Sequence, residues 1–178
     1  MNTYVALLRG INVGGNKKVE MARLRAVFEQ LGCKNVSSYI NSGNIIFSCT
    51  QSQIKKLTPS LDSLLLKEFG FEIRTVIRDR QNIQKLAQEI PPEWKNDGVQ
   101  KTDVLFLWDE YANEKSLKLL SINPDFDSLK YIDGSIVWNL EVRHYSQSGM
   151  GKLIGTVLYK HMTARNVNTV RKLAQLMK

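Results

Sequence analysis

Apolar runs and helical stripes alternate along the first ninety residues. TYVALL (3–8) is an unbroken apolar run of strand length. From Val19 to Leu31, apolar residues recur at Met21, Leu24, Val27, Phe28 and Leu31, the spacing of one helical face, and Gly32 ends the pattern. VSSYI (36–40) and NIIFS (44–48) read as two strands joined through Asn41-Ser42-Gly43. Pro59 suits the first turn of a helix that carries Leu61, Leu64, Leu65 and Phe69 and stops at Gly70. FEIRTVIR (71–78) alternates, with Ile73, Thr75 and Ile77 on one face. That order, βαββαβ, predicts an α+β, ferredoxin-like half. Its first and third strands are apolar on both faces and its second and fourth are mixed. This places the apolar pair in the centre of an antiparallel sheet of order 4-1-3-2, and it requires cover on the face opposite the helices.

The second half repeats the theme. A helix over 80–89 (Ile83, Leu86, Ala87) runs into IPPEWKNDGVQ, and the reading divides the chain into a domain over 1–90, a linker over 91–101 and a second ferredoxin-like domain over 102–178. VLFLW (104–108) is a strand, residues 112–121 read as helical, and SLKYI (128–132) and SIVWNLEV (135–142) pair about Asp133-Gly134. Two helical segments, 150–162 and 167–177, close the chain. The architecture repeats, although the hydrophobic pattern shows no residue-level repeat.

Composition narrows the classes. Of 178 residues, 43% are hydrophobic and 24% charged, which excludes a disordered chain. No apolar run approaches the roughly 20 residues that span a bilayer, and the first residues lack the pattern of a signal peptide, so no membrane role is expected and the compartment read is the cytoplasm. Cys33 and Cys49 read as reduced core thiols; no metal and no cofactor are expected. The net charge of +8 is uneven: residues 1–19 hold Arg9, Lys17 and Lys18 without an acid, and residues 91–141 hold ten acids against five bases. After Glu141 only bases follow, Arg143, Lys152, Lys160, Arg165, Arg171, Lys172 and Lys178. If the two basic ends meet, they form one patch.

Candidate chemistry gathers in loops. The first strand lies antiparallel to the third, so the loop Gly10–Lys18 shares one rim of the sheet with Asn41-Ser42-Gly43-Asn44. Gly14 and Gly15 expose backbone N–H groups there, the following helix offers its first amides, and Arg9 is a bidentate anion donor. The spacing is not that of a P-loop, because Gly15 is followed by Asn16-Lys17-Lys18. SGMGKL (148–153) is a second near-match that reads as a helix start capped by Ser148, with Lys152 in its first turn. TARNVNTVRKL (163–173) reads as a hydrogen-bonded corner between two helices. Catalytic sets are missing. His144 and His161 have no nearby carboxylate at metal-ligand spacing, Ser42 is not in a nucleophile elbow, and Glu20 serves a helix start. Tyr4 and Phe47 read as core residues and not as a base-stacking platform.

The opening LRGINVGG, the turn YINSGN and the closing TARNVNT together resemble a bacterial family grouped as domain of unknown function 1697. The shared motifs fall on Arg9, Gly10, Asn12, Gly14, Gly15, Tyr39, Ser42, Gly43, Asn44, Thr163, Arg165, Asn166 and Thr169. The chain departs from the family locally at Glu89-Ile90-Pro91-Pro92, where relatives carry an asparagine-proline pair. The resemblance implies two ferredoxin-like halves and carries no function.

The leading functional expectation is a site for a phosphate-bearing ligand, either a nucleic acid or a phosphorylated small molecule. The residues expected to hold it are Arg9, Asn12, Gly14, Gly15, Lys17, Asn41, Ser42, Asn44, Lys152, Arg165 and Asn166, with the C-terminal corner brought near the rim. Two alternatives use the same residues: a structural clasp without a ligand, and a small-molecule enzyme with an oxyanion-stabilising rim.

Overall fold

The computed structural model describes residues 1–15 and 17–177; Asn16 of the glycine loop and Lys178 of the basic C-terminal run lie outside them. The chain divides into two compact units, Met1–Gln81 together with Met177, and Asn82–Leu176. Each is built on a four-stranded antiparallel sheet, so the α+β class and the two ferredoxin-like halves hold.

The first unit orders β1 (Asn2–Leu8), α1 (Met21–Gln30), β2 (Lys34–Tyr39), β3 (Asn44–Cys49), α2 (Gln51–Phe69) and β4 (Thr75–Asp79). Its sheet runs β2-β3-β1-β4, the order 4-1-3-2 read from the other edge. Tyr4, Ala6 and Leu8 of β1 and Ile45, Phe47 and Cys49 of β3 face a core completed by Leu24 and Phe28 of α1 and Leu57, Leu61 and Leu65 of α2. Burial of each large apolar side chain there contributes about 1.5–3 kcal/mol. Val5 and Leu7 are fully buried on the other face, as the two-sided apolar pattern requires.

Two boundaries differ from the sequence reading. The second helix begins at Gln51, so Pro59 lies inside it and not in its first turn. Thr50 and Gln53 form a reciprocal capping box that starts the helix early. Ile54 and Leu57, both buried, continue the stripe of Leu61 and Leu65 upstream of the proline. This burial offsets the lost N–H of Pro59, a cost of ~3 kcal/mol. In FEIRTVIR only Thr75 onward is strand, while Phe71 and Ile73 pack on the core just before it.

The helix α3 (Arg80–Glu89) leads into the second unit. Its Asn82 Nδ2 donates to the Asp133 carbonyl at 2.7 Å and its Glu89 carbonyl accepts from Lys130 Nζ at 2.8 Å. The segment expected as a linker is tied down in the same unit. Thr102 Oγ1 donates to the Lys95 carbonyl, Asn168 Nδ2 to that of Asn96 and Arg171 Nη2 to that of Pro91. Asp97 accepts the N–H groups of Gln100 and Val99, which hold its carboxyl below the usual carboxylate range.

The strands of this unit are β5 (Gln100–Leu107), β6 (Ser128–Ile132), β7 (Ser135–Glu141) and β8 (Met162–Asn166), in the order β6-β7-β5-β8, and α4 (Val167–Leu176) follows. The expected helices over 112–121 and 150–162 are short 3-10 turns instead, the main ones at Glu114–Leu119 and Gly149–Gly155. Three glycines in 149–155 weaken any α-helix there by ~1 kcal/mol each. One of them cannot be replaced: a Cβ on Gly149 would stand 1.6 Å from the Ser121 carbonyl oxygen. The corner expected over 163–173 is instead the strand β8, paired along β5 from Met162 to Asn166, followed directly by α4. Its polar residues Thr163 and Arg165 hid the strand pattern, yet both are buried. Among the described residues, no helix is long and apolar enough to cross a membrane.

Candidate functional site

The rim of the first sheet forms where β1 ends beside the start of β3. Leu8 N–H donates to the Gly43 carbonyl at 2.9 Å, which sets the glycine loop against the Tyr39–Asn44 turn. Left-handed backbone recurs through the loop, at Gly10, Asn12, Gly14, Gly15 and Lys17, and again at Ile40 and Gly43 across the rim. A β-branched residue such as Ile40 rarely adopts this conformation, so the surrounding bonds must hold it. Gly43 is required on two counts: φ is +78°, and a Cβ would come within 2.8 Å of Ile11 and 2.9 Å of Leu8.

Asn12 joins the two loops. Its Nδ2 donates to the carbonyls of Val19 at 3.0 Å and Asn41 at 2.9 Å, and its Oδ1 accepts the Val19 N–H at 2.8 Å. Its own N–H donates to the Lys17 carbonyl at 3.1 Å, closing the loop. Asn44 is fully buried and donates to the Tyr39 carbonyl and to Ser42 Oγ, both at 3.0 Å. The amides of Asn12 and Asn44 therefore hold protein to protein, and Ser42 is an acceptor within the same turn. The sequence reading offered all three to a ligand or to a clasp; these bonds of theirs are made within the protein.

The surface left facing solvent is different in kind. Gly14, Gly15, Lys17, Lys18 and Asn41 are exposed. Lys17 Nζ stands 5.7 Å from the Phe71 ring centroid, a loose cation–π contact. Beside them an open groove of ~720 Å³ runs along Gly15, Lys18, Glu20, Arg23 and Asn41 to the first turn of α1. Glu20 is the N-cap of α1 but its side chain makes no cap bond. Arg23 is anchored by Glu68 at 2.7 Å and by the Phe69 ring. Arg9, at the end of β1, is half-buried, and its backbone N–H donates to the Arg74 carbonyl. The charge is concentrated on this side of the chain: residues 1–81 hold twelve Lys and Arg against six Asp and Glu, whereas residues 82–176 hold twelve against eleven.

Lys152, Arg165 and Asn166 belong to the second unit. Lys152 is exposed on the turn that Ser148 caps through the Met150 N–H. Arg165 is buried and donates through Nη1 to Thr163 Oγ1 at 3.0 Å and the Ala164 carbonyl at 2.7 Å. Burial pulls its guanidinium down to about 10, still charged at neutral pH. Asn166 Oδ1 accepts the Thr169 N–H at 2.9 Å and so caps α4.

Two clusters escaped the sequence reading because their members are far apart in the chain. Asp127 is a buried node. Its carboxylate accepts the Trp138 indole N–H, the Ser148 hydroxyl and the N–H groups of Asn123 and Gly149. Burial pushes its carboxyl up, but these donors together outweigh that and hold it below the usual carboxylate range. His161 lies 3.3 Å from Glu110 and against the Tyr111 ring, although no carboxylate stands near it in sequence. His144 stacks on Phe126. Cys33 and Cys49 are free and buried; burial first, then the neighbouring Cys49, pushes the Cys33 thiol up to about 11. Among the described residues, no group of His, Cys, Asp and Glu is placed to hold a metal ion.

No curated protein matches the chain. A solved structure of a conserved bacterial protein from Streptococcus pneumoniae is similar, with 29% identity and a TM-score of 0.82 over 99% of each chain. A family model described as protein of unknown function (DUF1697) matches residues 1–138, which include the glycine loop and the Tyr39–Asn44 turn. The chain belongs to that family.

Proposed function

We propose that the groove beside the glycine loop binds a phosphate-bearing ligand. The observation that carries this reading is the exposed, acid-poor loop of Gly14, Gly15, Lys17 and Lys18, of which Gly15 and Lys18 line the groove. Lysines supply the charge, glycine backbone allows close approach, and the first-turn amides of α1 add a favourable dipole of at most ~1 kcal/mol at an exposed site. Asn12 and Asn44 serve this site indirectly by fixing the loop. Glu20 opposes an anion as the sole acid among the described lining residues. The reading places the protein in the cytoplasm, where two unpaired thiols persist.

A nucleic acid and a phosphorylated metabolite share this chemistry, and salt separates them. Fluorescence anisotropy with 5′-phosphorylated single-stranded DNA and RNA, titrated over salt, reads the first; melting with inorganic pyrophosphate and sugar phosphates reads the second. A polyanion loses affinity steeply with salt as counterions leave, whereas a small ligand raises Tm with a shallow salt slope. Lys17→Ala/Lys18→Ala removes either effect, and Glu20→Gln strengthens it. Retained affinity in the double lysine variant contradicts the reading.

A second reading has its own observation. The three side-chain bonds of Asn12 support a rim that acts as a clasp and needs no ligand. Complete lack of binding to every probe leaves this one standing.

A further inference from the structure

The two sheets share their strand order, and the sharing reaches individual residues. In the first unit Leu8 pairs with Thr75 and Val5 with Arg78; in the second Leu107 pairs with Met162 and Val104 with Arg165. The backbone bonds at the rim match as well. Leu8 donates to Gly43 and Arg9 to Arg74, while Leu107 donates to Gly134 and Trp108 to His161. Along the last strand and the helix after it, every equivalence is the same step in sequence, with no gap. Arg78-Asp79 corresponds to Arg165-Asn166, Ile83 to Val170, and Lys85-Leu86-Ala87-Gln88 to Lys172-Leu173-Ala174-Gln175. Four consecutive identities therefore lie at matching places on α3 and α4, a residue-level repeat that the pattern reading overlooked. The side chains behave alike. Ile83, Leu86, Val170 and Leu173 are all fully buried, and Arg78 and Arg165 each donate through Nη1 to the carbonyl of the preceding residue.

The rims are where the copies part. After Leu8 the chain opens into the glycine loop with exposed lysines. After Leu107 the buried Trp108 leads into a tight turn, Asp109–Tyr111, whose Tyr111 ring packs on His161 at 4.5 Å and whose Glu110 pairs with it. Tyr131 closes the neighbouring turn, its hydroxyl accepting the Gly134 N–H and donating to the Ala112 carbonyl. Aromatic and acidic groups thus fill the position that glycine and lysine leave open in the first copy.

We infer that the chain is a tandem duplication of one module, a four-stranded sheet followed by a helix, in which the second copy's rim has been closed and only the first copy's rim is open to a ligand. The single-site part rests on the proposed function; the duplication does not. Two experiments on the full-length protein separate them. Leu86→Ala and Leu173→Ala occupy equivalent places, so each lowers Tm by roughly 5–15 °C, and the two losses agree within a few degrees. A loss at one leucine with none at the other overturns the duplication. Should either alanine variant fail to fold, Leu86→Met and Leu173→Met make the same comparison at smaller cost. Native mass spectrometry with inorganic pyrophosphate then counts sites. One ligand per chain, lost in Lys17→Ala/Lys18→Ala, supports the open first rim, and two per chain overturns it. No ligand at all overturns the binding part together with the proposed function, and the leucine pair still decides the duplication.

Discussion

The two units draw the same sheet and fill it differently. In the first, both crossovers are α-helices whose apolar stripes lie on the sheet, and the interior is made of Leu24, Phe28, Leu61, Leu65 and the strands beneath them. In the second, the crossovers are 3-10 turns and extended chain, and a polar node does part of the holding: Asp127 gathers four donors from Asn123, Trp138, Ser148 and Gly149. The strand order survives the exchange of helices for turns. Topology in this chain follows from the strands and their turns, while the crossovers need only cover a face and satisfy their own polar groups.

Substitutions that strike one unit's means of support sharpen the contrast. Asp127→Ala leaves an indole N–H, a hydroxyl and two backbone N–H groups unsatisfied in the second unit, and about 3–5 kcal/mol is expected to be lost in urea unfolding. The same node gives the second unit an acid limb. Because the folded Asp127 carboxyl lies below its unfolded value, its contribution is present above about pH 4 and fades as pH falls through the folded value. The limb is expected to vanish in Asp127→Asn, followed by Trp fluorescence against pH. In the first unit Gly43→Ala meets Ile11 and Leu8 on left-handed backbone, and about 2–4 kcal/mol is the expected loss by thermal melting. Asn12→Ala strips three side-chain bonds from a partly exposed loop and is expected to cost about 1–2 kcal/mol, with faster hydrogen exchange confined to residues 10–20. The smallest effect is chemical. Both thiols are expected to resist a disulfide reagent at pH 8 in the folded protein and to react at once in denaturant, since Cys33 is held up near 11.

Much of the first unit could be read directly from the pattern, and the reasons are local. The stripe closed by Gly32, the Asn41-Ser42-Gly43 turn and the two-sided apolar strands each speak through neighbouring residues. The Asp133-Gly134 turn of the second unit is of the same kind, with both residues in left-handed backbone. Other features needed information from a distance. The α2 start was masked by Pro59, because a proline advertises a helix beginning more loudly than the Thr50–Gln53 box does. β8 was masked because its buried positions hold Thr163 and Arg165, whose polarity is satisfied only once the fold exists. At the site, the antiparallel pairing of β1 and β3 was enough to bring the glycine loop and the Tyr39–Asn44 turn together. What each amide does there was not legible: Asn12 and Asn44 read equally as ligand donors and as clasp residues, and only the fold reveals the carbonyls that take them.

The central claim is that the open rim, held in shape by Asn12, receives phosphate. The most direct measurement is a titration of the 15N-labelled full-length protein with inorganic pyrophosphate, following each backbone amide by NMR. The account predicts saturable shifts at Gly14, Gly15, Lys17, Lys18 and the first turn of α1, all lost in Lys17→Ala/Lys18→Ala. Shifts confined to other regions, or none up to millimolar ligand, would contradict it and leave the rim a clasp between two loops.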